Sequence, residues 1–279
     1  MNALANVTPI ASKREQRSMR FALPPSVGMP AANERARALE SYLGKAFGRP
    51  VEVVVSPSYE ALARELLTGK SDAGWAPPFV CARIEAMGVR VLLRGVRAGA
   101  SSYRSALVCR ADKPLTIDQL KGMNAAWTDR DSVGGYLLAM AYLRGKGLDP
   151  TRLFGSQTFE GSYHAALEAV LAGRAAVTSV FAPVGAPGKP AKTGLDELIG
   201  SKADQFHVVA FTEDAPNDGV AVSMSVTTPV VAELEKTLLA LSDSSEGAAL
   251  LKDAFNAERF EVAPRMGYRA LYRVALASL

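Results

Sequence analysis

Residues 51–75 read VEVVVSPSYEALARELLTGKSDAGW. Val51 to Val55 is a β-branched run too short for a helix, the pattern of a buried strand. Ser58 then stands where an N-cap belongs. Tyr59, Leu62, Ala63, Leu66 and Leu67 follow at i, i+3, i+4, i+7 and i+8, one face of a helix. Gly69 can take the left-handed conformation that stops it. Trp75 closes a further short strand. Strand, helix and strand in about 25 residues is a βαβ unit, which implies a parallel pair with a helix across one face.

The same grammar recurs. Ser162 and Tyr163 precede Gly173 by the spacing that separates Ser58 and Tyr59 from Gly69, and Tyr163, Ala166, Leu167, Val170 and Leu171 repeat the helical period. A third helix runs through Leu39, Tyr42, Leu43, Ala46 and Phe47 to Gly48. Apolar runs at Phe21–Leu23, Val89–Leu93, Ala106–Cys109, Ala125–Trp127, Val177–Phe181, Val208–Phe211 and Val220–Val226 supply further strands. One βαβ unit in each half predicts an α/β fold of two lobes, each a mainly parallel sheet flanked by helices. Polar, Pro and Gly residues make Arg110–Leu115 and Thr212–Gly219 the expected hinges. The expected organisation is a mobile tail over 1–18, a first lobe over 19–111 and 213–279, and an inserted second lobe over 112–212.

Composition is that of a globular chain. The 279 residues are 48% hydrophobic and 22% charged, which excludes disorder and fibrous classes. Lys+Arg 32 against Asp+Glu 28 gives a formal charge of +4 with no basic run, so no nucleic-acid surface is expected. No apolar stretch is long enough to span a membrane. Cys81 and Cys109 are too few for a disulfide framework and sit among apolar residues as buried thiols. With only His164 and His207 there is no zinc-type cluster, so no metal and no cofactor is expected. His207 sits in an apolar run and reads as structural. Residues 1–19 lack a continuous apolar segment, which predicts a cytoplasmic chain as written, or a periplasmic one if a leader has been removed. The basic stretch Lys13–Arg17 is a possible dock for a partner protein.

Chemistry-bearing residues gather at helix starts. Asp131-Ser132 precedes Val133-Gly134-Gly135-Tyr136 and a long apolar helix. Such a start leaves amides unpaired and carries partial positive charge, and glycine lets a ligand approach the backbone. Tyr59 and Tyr163 open their helices, Trp75 ends a strand, and Tyr103 opens another. Each ring can wall a crevice. Arg94, Arg97 and Arg104 could draw in anions. His164 is the one histidine near these starts, but no nucleophile, elbow or phosphate loop accompanies it, so an enzyme is not expected.

Several segments together resemble a known family. Tyr103-Arg104-Ser105, followed by Leu115 to Gly122, is similar to solute-binding proteins of ABC transporters, closest to the phosphate/phosphite/phosphonate-binding (PhnD-like) group. Tyr59 through Gly69 to Asp72-Ala73-Gly74-Trp75 agrees. So do Asp131-Ser132 to Leu137, Gly161-Ser162 to Gly173, and Pro216-Asn217-Asp218, in the same order over residues 20 to 262. The resemblance implies the type II periplasmic-binding-protein fold, with two lobes closing on a small, anionic ligand. Carried over by position, it implies ligand contacts at Tyr59, Tyr103 and Ser132, with Trp75 and the amides of Val133 and Gly134 at the cleft. Tyr163 and His164 fall where the family has one histidine. The family's hydroxyl run at the helix start is here Ser132-Val133-Gly134, and its acidic residue after Gly173 is Ala176. These departures admit a phosphonate, another oxyanion, a carboxylate or a more apolar molecule. The partners implied are that ligand and an ABC permease, with the chain a monomer. Two alternatives share the fold: a cytoplasmic lyase or synthase using His164, and a ligand-sensing module that signals to a partner.

Overall fold

The computed structural model describes residues 18–24, 29–184, 193–269 and 271–272. The tail 1–17, with Lys13–Arg17, lies outside them. In chain order the elements are β1 (Met19–Leu23), α1 (Met29–Phe47), β2 (Val51–Val55), α2 (Tyr59–Thr68), β3 (Ala73–Ala76), α3 (Pro78–Glu85), β4 (Arg90–Val96), β5 (Ser102–Arg110) and β6 (Asn124–Trp127). A wide helical turn, Val133–Leu137, then leads into α4 (Leu138–Gly145). There follow α5 (Pro150–Leu153), β7 (Ser156–Phe159), α6 (Tyr163–Leu171), β8 (Val177–Pro183), α7 (Leu195–Ile199), β9 (Phe206–Phe211), β10 (Ala215–Pro216), β11 (Gly219–Val222), α8 (Thr228–Leu239), α9 (Ser245–Phe255) and β12 (Arg259–Val262).

The cap signals act as their chemistry requires. Ser58 Oγ accepts the Ala61 amide and Ser162 Oγ the Ala165 amide, each at 3.1 Å. Gly69 and Gly173 both stand at φ +73° beyond their helices. A side chain at either position would be strained.

Two sheets form. The first has strand order β12-β4-β11-β3-β1-β2, the second β10-β5-β8-β6-β7 with β9 also on β5. They are mixed rather than mainly parallel. In the first, β1 pairs in parallel with β2 and β3, while β11 and β12 run antiparallel to their neighbours. In the second, β6 is parallel to β7 and β8, and β5 is antiparallel to β8, β9 and β10. Residue-level periodicity reports burial, not strand direction. The second sheet's strands all lie between β4 and β11 in the chain.

Three expectations are corrected. β5 belongs to the second sheet, so the first crossing is at residues 97–101. Arg110–Leu115 is instead a turn inside the second unit, where Arg110 clasps Asp112 at 2.6 Å. A hinge and a surface turn share one composition. The run Val220–Val226 stops pairing at Val222, because the Ser223 carbonyl takes the Val226 amide at 3.1 Å and closes a turn. The polar β7 and the charged β12 carry no apolar run because each is an edge strand with one partner.

Each sheet is covered on both faces. α1, α8 and α9 pack on one face of the first sheet, with Phe21, Trp75, Phe255 and Phe260 in a shared aromatic cluster. α2 and α3 cover the other. In the second, α6 covers one face and α4 the other. Val133, Leu137 and Leu138 turn away from their own sheet into the α2–α3 cluster of the first. The two units therefore meet through the start of this helix. Cys81 and Cys109 are free and buried, as expected.

Candidate ligand-binding cleft

The chain leaves β6 through Thr128 into Asp129-Arg130-Asp131-Ser132. Asp129 Oδ1 accepts the Asp131 amide at 2.8 Å, and the Asp129 carbonyl accepts the Ser132 amide at 3.2 Å. That turn aims the next helix. Ser132 Oγ caps it by accepting the Gly135 amide at 3.1 Å, and the Leu137 amide returns five residues to the Ser132 carbonyl at 3.0 Å. The first turn is therefore one residue wider than an α-turn, a distortion that recurs at functional sites. Val133 and Gly134 are its first two positions, whose amides have no carbonyl one turn back to bond.

Two buried hydroxyls hold this turn in place. Ser105 Oγ from β5 and Ser179 Oγ from β8 both donate to the Gly134 carbonyl at 2.8 Å. Both serines are fully buried. The rings then close over Gly134. A Cβ there would lie 2.6 Å from the Tyr163 hydroxyl and 3.3 Å from Tyr103 Cε2, so only glycine fits without movement. The Tyr163 hydroxyl is hydrogen-bonded with Ser132, and its ring meets Phe181 edge-on with centroids 5.7 Å apart.

The cleft between the sheets has a volume of about 1130 Å³. Tyr59, Trp75, Tyr103, Ser132, Val133, Gly134 and Tyr163 all line it. Trp75 contributes a wall rather than a polar tip. It is 4% exposed and packs against Phe255 and Phe260, because both faces of β3 are buried. His164 is not among the lining residues. Its side chain is 60% exposed, with Nε2 3.3 Å from Glu168 Oε1, because consecutive helical residues point about 100° apart and Tyr163 takes the inward direction. His207 is exposed on β9 rather than buried, since the apolar run that holds it is an outer strand.

Burial pushes the Tyr163 phenol up to about 12, with Asp218 and Tyr59 adding to the shift and the Ser132 bond and Arg97 opposing it. Burial likewise raises Tyr103, reinforced by Tyr163 and Asp218. Both phenols are therefore neutral at physiological pH and keep their O–H protons. At the lip, burial raises Asp131, and the charge of Asp129 raises it further while Arg83 opposes.

Each of the three arginines has a partner within the chain, and Arg97 also lines the cleft. Arg97 forms an ion pair with Asp218 and donates to the carbonyls of Asn256 at 2.6 Å and Phe255 at 3.2 Å. Arg94 binds Glu261 at 2.6 Å, and Arg104 lies 4.2 Å over the Phe211 ring. Two residues that the sequence marked only as part of the Pro216-Asn217-Asp218 segment, with no site role, also line the cleft. The buried Asn217 side chain donates to the Gly95 and Ala100 carbonyls at 2.9 and 3.0 Å, stitching the two crossings together. Asp218 sits in the Pro216-Asn217-Asp218 segment, whose polarity was legible but whose pairing with Arg97 was not.

Residues 21–268 match the family described as ABC transporter, phosphonate, periplasmic substrate-binding protein. The chain belongs to that family. Structures with this fold include XAC2383 from Xanthomonas citri bound to ATP, 19% identical, with a TM-score of 0.77 over 94% of this chain and 96% of that one. A binding protein component of an ABC phosphonate transporter (PA3383) from Pseudomonas aeruginosa is 17% identical, with a TM-score of 0.72 over 94% and 87%. PhnD1 from Prochlorococcus marinus in complex with methylphosphonate is 16% identical, with a TM-score of 0.73 over 95% and 100%. The fold is the two-lobed periplasmic-binding-protein architecture, and the chain is a PhnD-like solute-binding protein. The family is one of transporter substrate-binding proteins, not enzymes, which sets aside the lyase or synthase alternative. A small-molecule ligand and an ABC permease are the partners the family carries. Among the described residues no helix is long and apolar enough to cross a membrane.

Proposed function

We propose that this chain captures a small organic oxyanion of the phosphonate type in the periplasm and hands it to a permease. The anionic head rests on the amides of Val133 and Gly134, with the hydroxyls of Ser132 and Tyr163 as donors and Tyr59 and Tyr103 as walls. The observation that carries this reading is the convergence on Gly134. A helix start, a capping hydroxyl and two neutral phenols meet at a residue where only a missing side chain leaves room. Titration calorimetry with methylphosphonate, phosphite and inorganic phosphate tests it. At least one should bind, and Ser132→Ala should weaken that binding about 10-fold or more. Absence of binding by all three defeats the reading.

One observation favours a larger ligand of the same chemistry. The cleft, at about 1130 Å³, exceeds the usual range for drug-sized ligands and is far larger than a methylphosphonate ion requires. Its lining reaches Arg35 and Lys252, beyond the tyrosines. A relative of this fold is described bound to ATP. Tighter binding of ATP than of methylphosphonate would select this second reading.

A further inference from the structure

Arg97 follows β4 directly, in the first crossing between the sheets, and lines the cleft. Three groups fix its guanidinium. Nε donates to the Asn256 carbonyl at 2.6 Å, Nη2 donates to the Phe255 carbonyl at 3.2 Å, and Nη2 also pairs with Asp218 Oδ2. Both carbonyls stand at the C-terminal end of α9, where a cation is favoured. A guanidinium carries five N–H donors, and among the described residues none of these contacts uses Nη1. The Arg97 side chain is 33% exposed and that of Asp218 17%, so the cation is the more open half of the pair. Glu258, which also lines the cleft, gives its Oε2 to the Gly99 amide at 3.0 Å.

This guanidinium shares its volume with the helix start. Its charge acts on the phenols of Tyr163 and Tyr103, the two rings that close over Gly134, in the sense opposite to Asp218. We propose that Arg97 is a specificity-determining residue that reads a second oxyanionic group on the ligand, while the first rests at the helix start. This rests on the anion-site reading above and narrows its substrate class to phosphonates whose carbon chain ends in a carboxylate or a like group. A cation already held by three partners gives up little side-chain freedom when a ligand arrives, so a charge-assisted bond to it is favourable. The cleft, at about 1130 Å³, has room for a short chain between the two groups. Methylphosphonate would fill one end and leave Arg97 to water. A ligand ending in an ammonium would meet like charge there, with Asp218 already engaged by the arginine.

Titration calorimetry on the full chain carries the test, with methylphosphonate, phosphonoacetate, 3-phosphonopropionate and 2-aminoethylphosphonate as probes. The unmodified chain should bind at least one of the two phosphonocarboxylates about 10-fold or more tighter than methylphosphonate. In Arg97→Gln that preference should shrink to within about threefold. Removing the cation alone leaves Asp218 without its partner, so the double variant Arg97→Gln/Asp218→Asn, which removes both charges, is measured beside it and should lose the preference equally. Phosphonocarboxylates bound no tighter than methylphosphonate by the unmodified chain overturn the role of Arg97 and leave the anion site standing. So does a preference that survives in the double variant, or tighter binding of 2-aminoethylphosphonate than of either phosphonocarboxylate, which would make Asp218 the reading group. If none of the four probes binds, the anion-site reading falls and this inference falls with it.

Discussion

Adding one methyl group at Gly134 probes the whole arrangement. The backbone cannot retreat, because its carbonyl is held by Ser105 and Ser179 at 2.8 Å each. The new Cβ would stand 2.6 Å from the Tyr163 hydroxyl, 3.3 Å from Tyr103 Cε2 and 3.5 Å from Phe181 Cβ. The phenol of Tyr163 is the end of a side chain and is the group that must move. Overpacking of this kind costs about 1–3 kcal/mol. Replacing glycine within a helical turn offsets about 1 kcal/mol of that. The net loss is between zero and about 2 kcal/mol, a fall in Tm of a few degrees for a chain of this size. Binding should suffer more. At the proposed site, displacing the Tyr163 hydroxyl would remove a donor to a charged ligand, worth about 1.5–3 kcal/mol, and the methyl would intrude where the anion is proposed to sit. Affinity for the oxyanion probe in Gly134→Ala should fall roughly 10- to 150-fold by calorimetry. Adding Tyr163→Phe removes the atom that the methyl meets, so the double variant should regain Tm without regaining affinity. Unchanged affinity in Gly134→Ala would refute the claim that this glycine is the seat.

Three further outcomes follow from the same geometry. Ser105→Ala or Ser179→Ala alone leaves the Gly134 carbonyl one hydroxyl donor and should cost about 1 kcal/mol in chemical denaturation; the double variant should cost more than the sum, and simple additivity would show that the two hydroxyls do not share one acceptor. The Tyr163 phenol ionises near 10.0 when unfolded and at about 12 when folded, so its contribution to stability is whole below pH 10 and is lost as pH rises towards 12. Tyr163→Phe should therefore reduce the decline of Tm across that window, and an identical slope would contradict the buried environment assigned to it. His164→Ala should leave both affinity and stability within about 0.5 kcal/mol, because the side chain is exposed; a lost ligand would return His164 to the site.

Much of the molecule was legible in order of chain distance. The helices at Tyr59–Thr68 and Tyr163–Leu171, with Ser58 and Ser162 as caps and Gly69 and Gly173 as stops, depend on contacts within one or two turns, so about a dozen consecutive residues suffice to specify them. The start at Ser132 was equally local. Seven of the eight residues singled out as a site line one cleft because helix and strand ends in an α/β fold gather at the edge of the sheet.

What the sequence by itself determined was therefore the class of elements, the covering of each sheet and the helix start that lines the cleft. Only tertiary structure decided which sheet β5 joins, that the sheets are mixed, that Arg97 pairs with Asp218, and that Tyr163 faces inward while His164 faces water. The seat at Gly134 is the clearest case. Ser105, Ser179, Tyr103 and Tyr163 reach it from two strands and one helix separated by up to 76 residues of chain (Tyr103 to Ser179), and nothing local to any of them encodes the meeting. Caps and periodicity are energies between near neighbours in the chain, whereas strand order and side-chain convergence are set by which distant surfaces bury each other best.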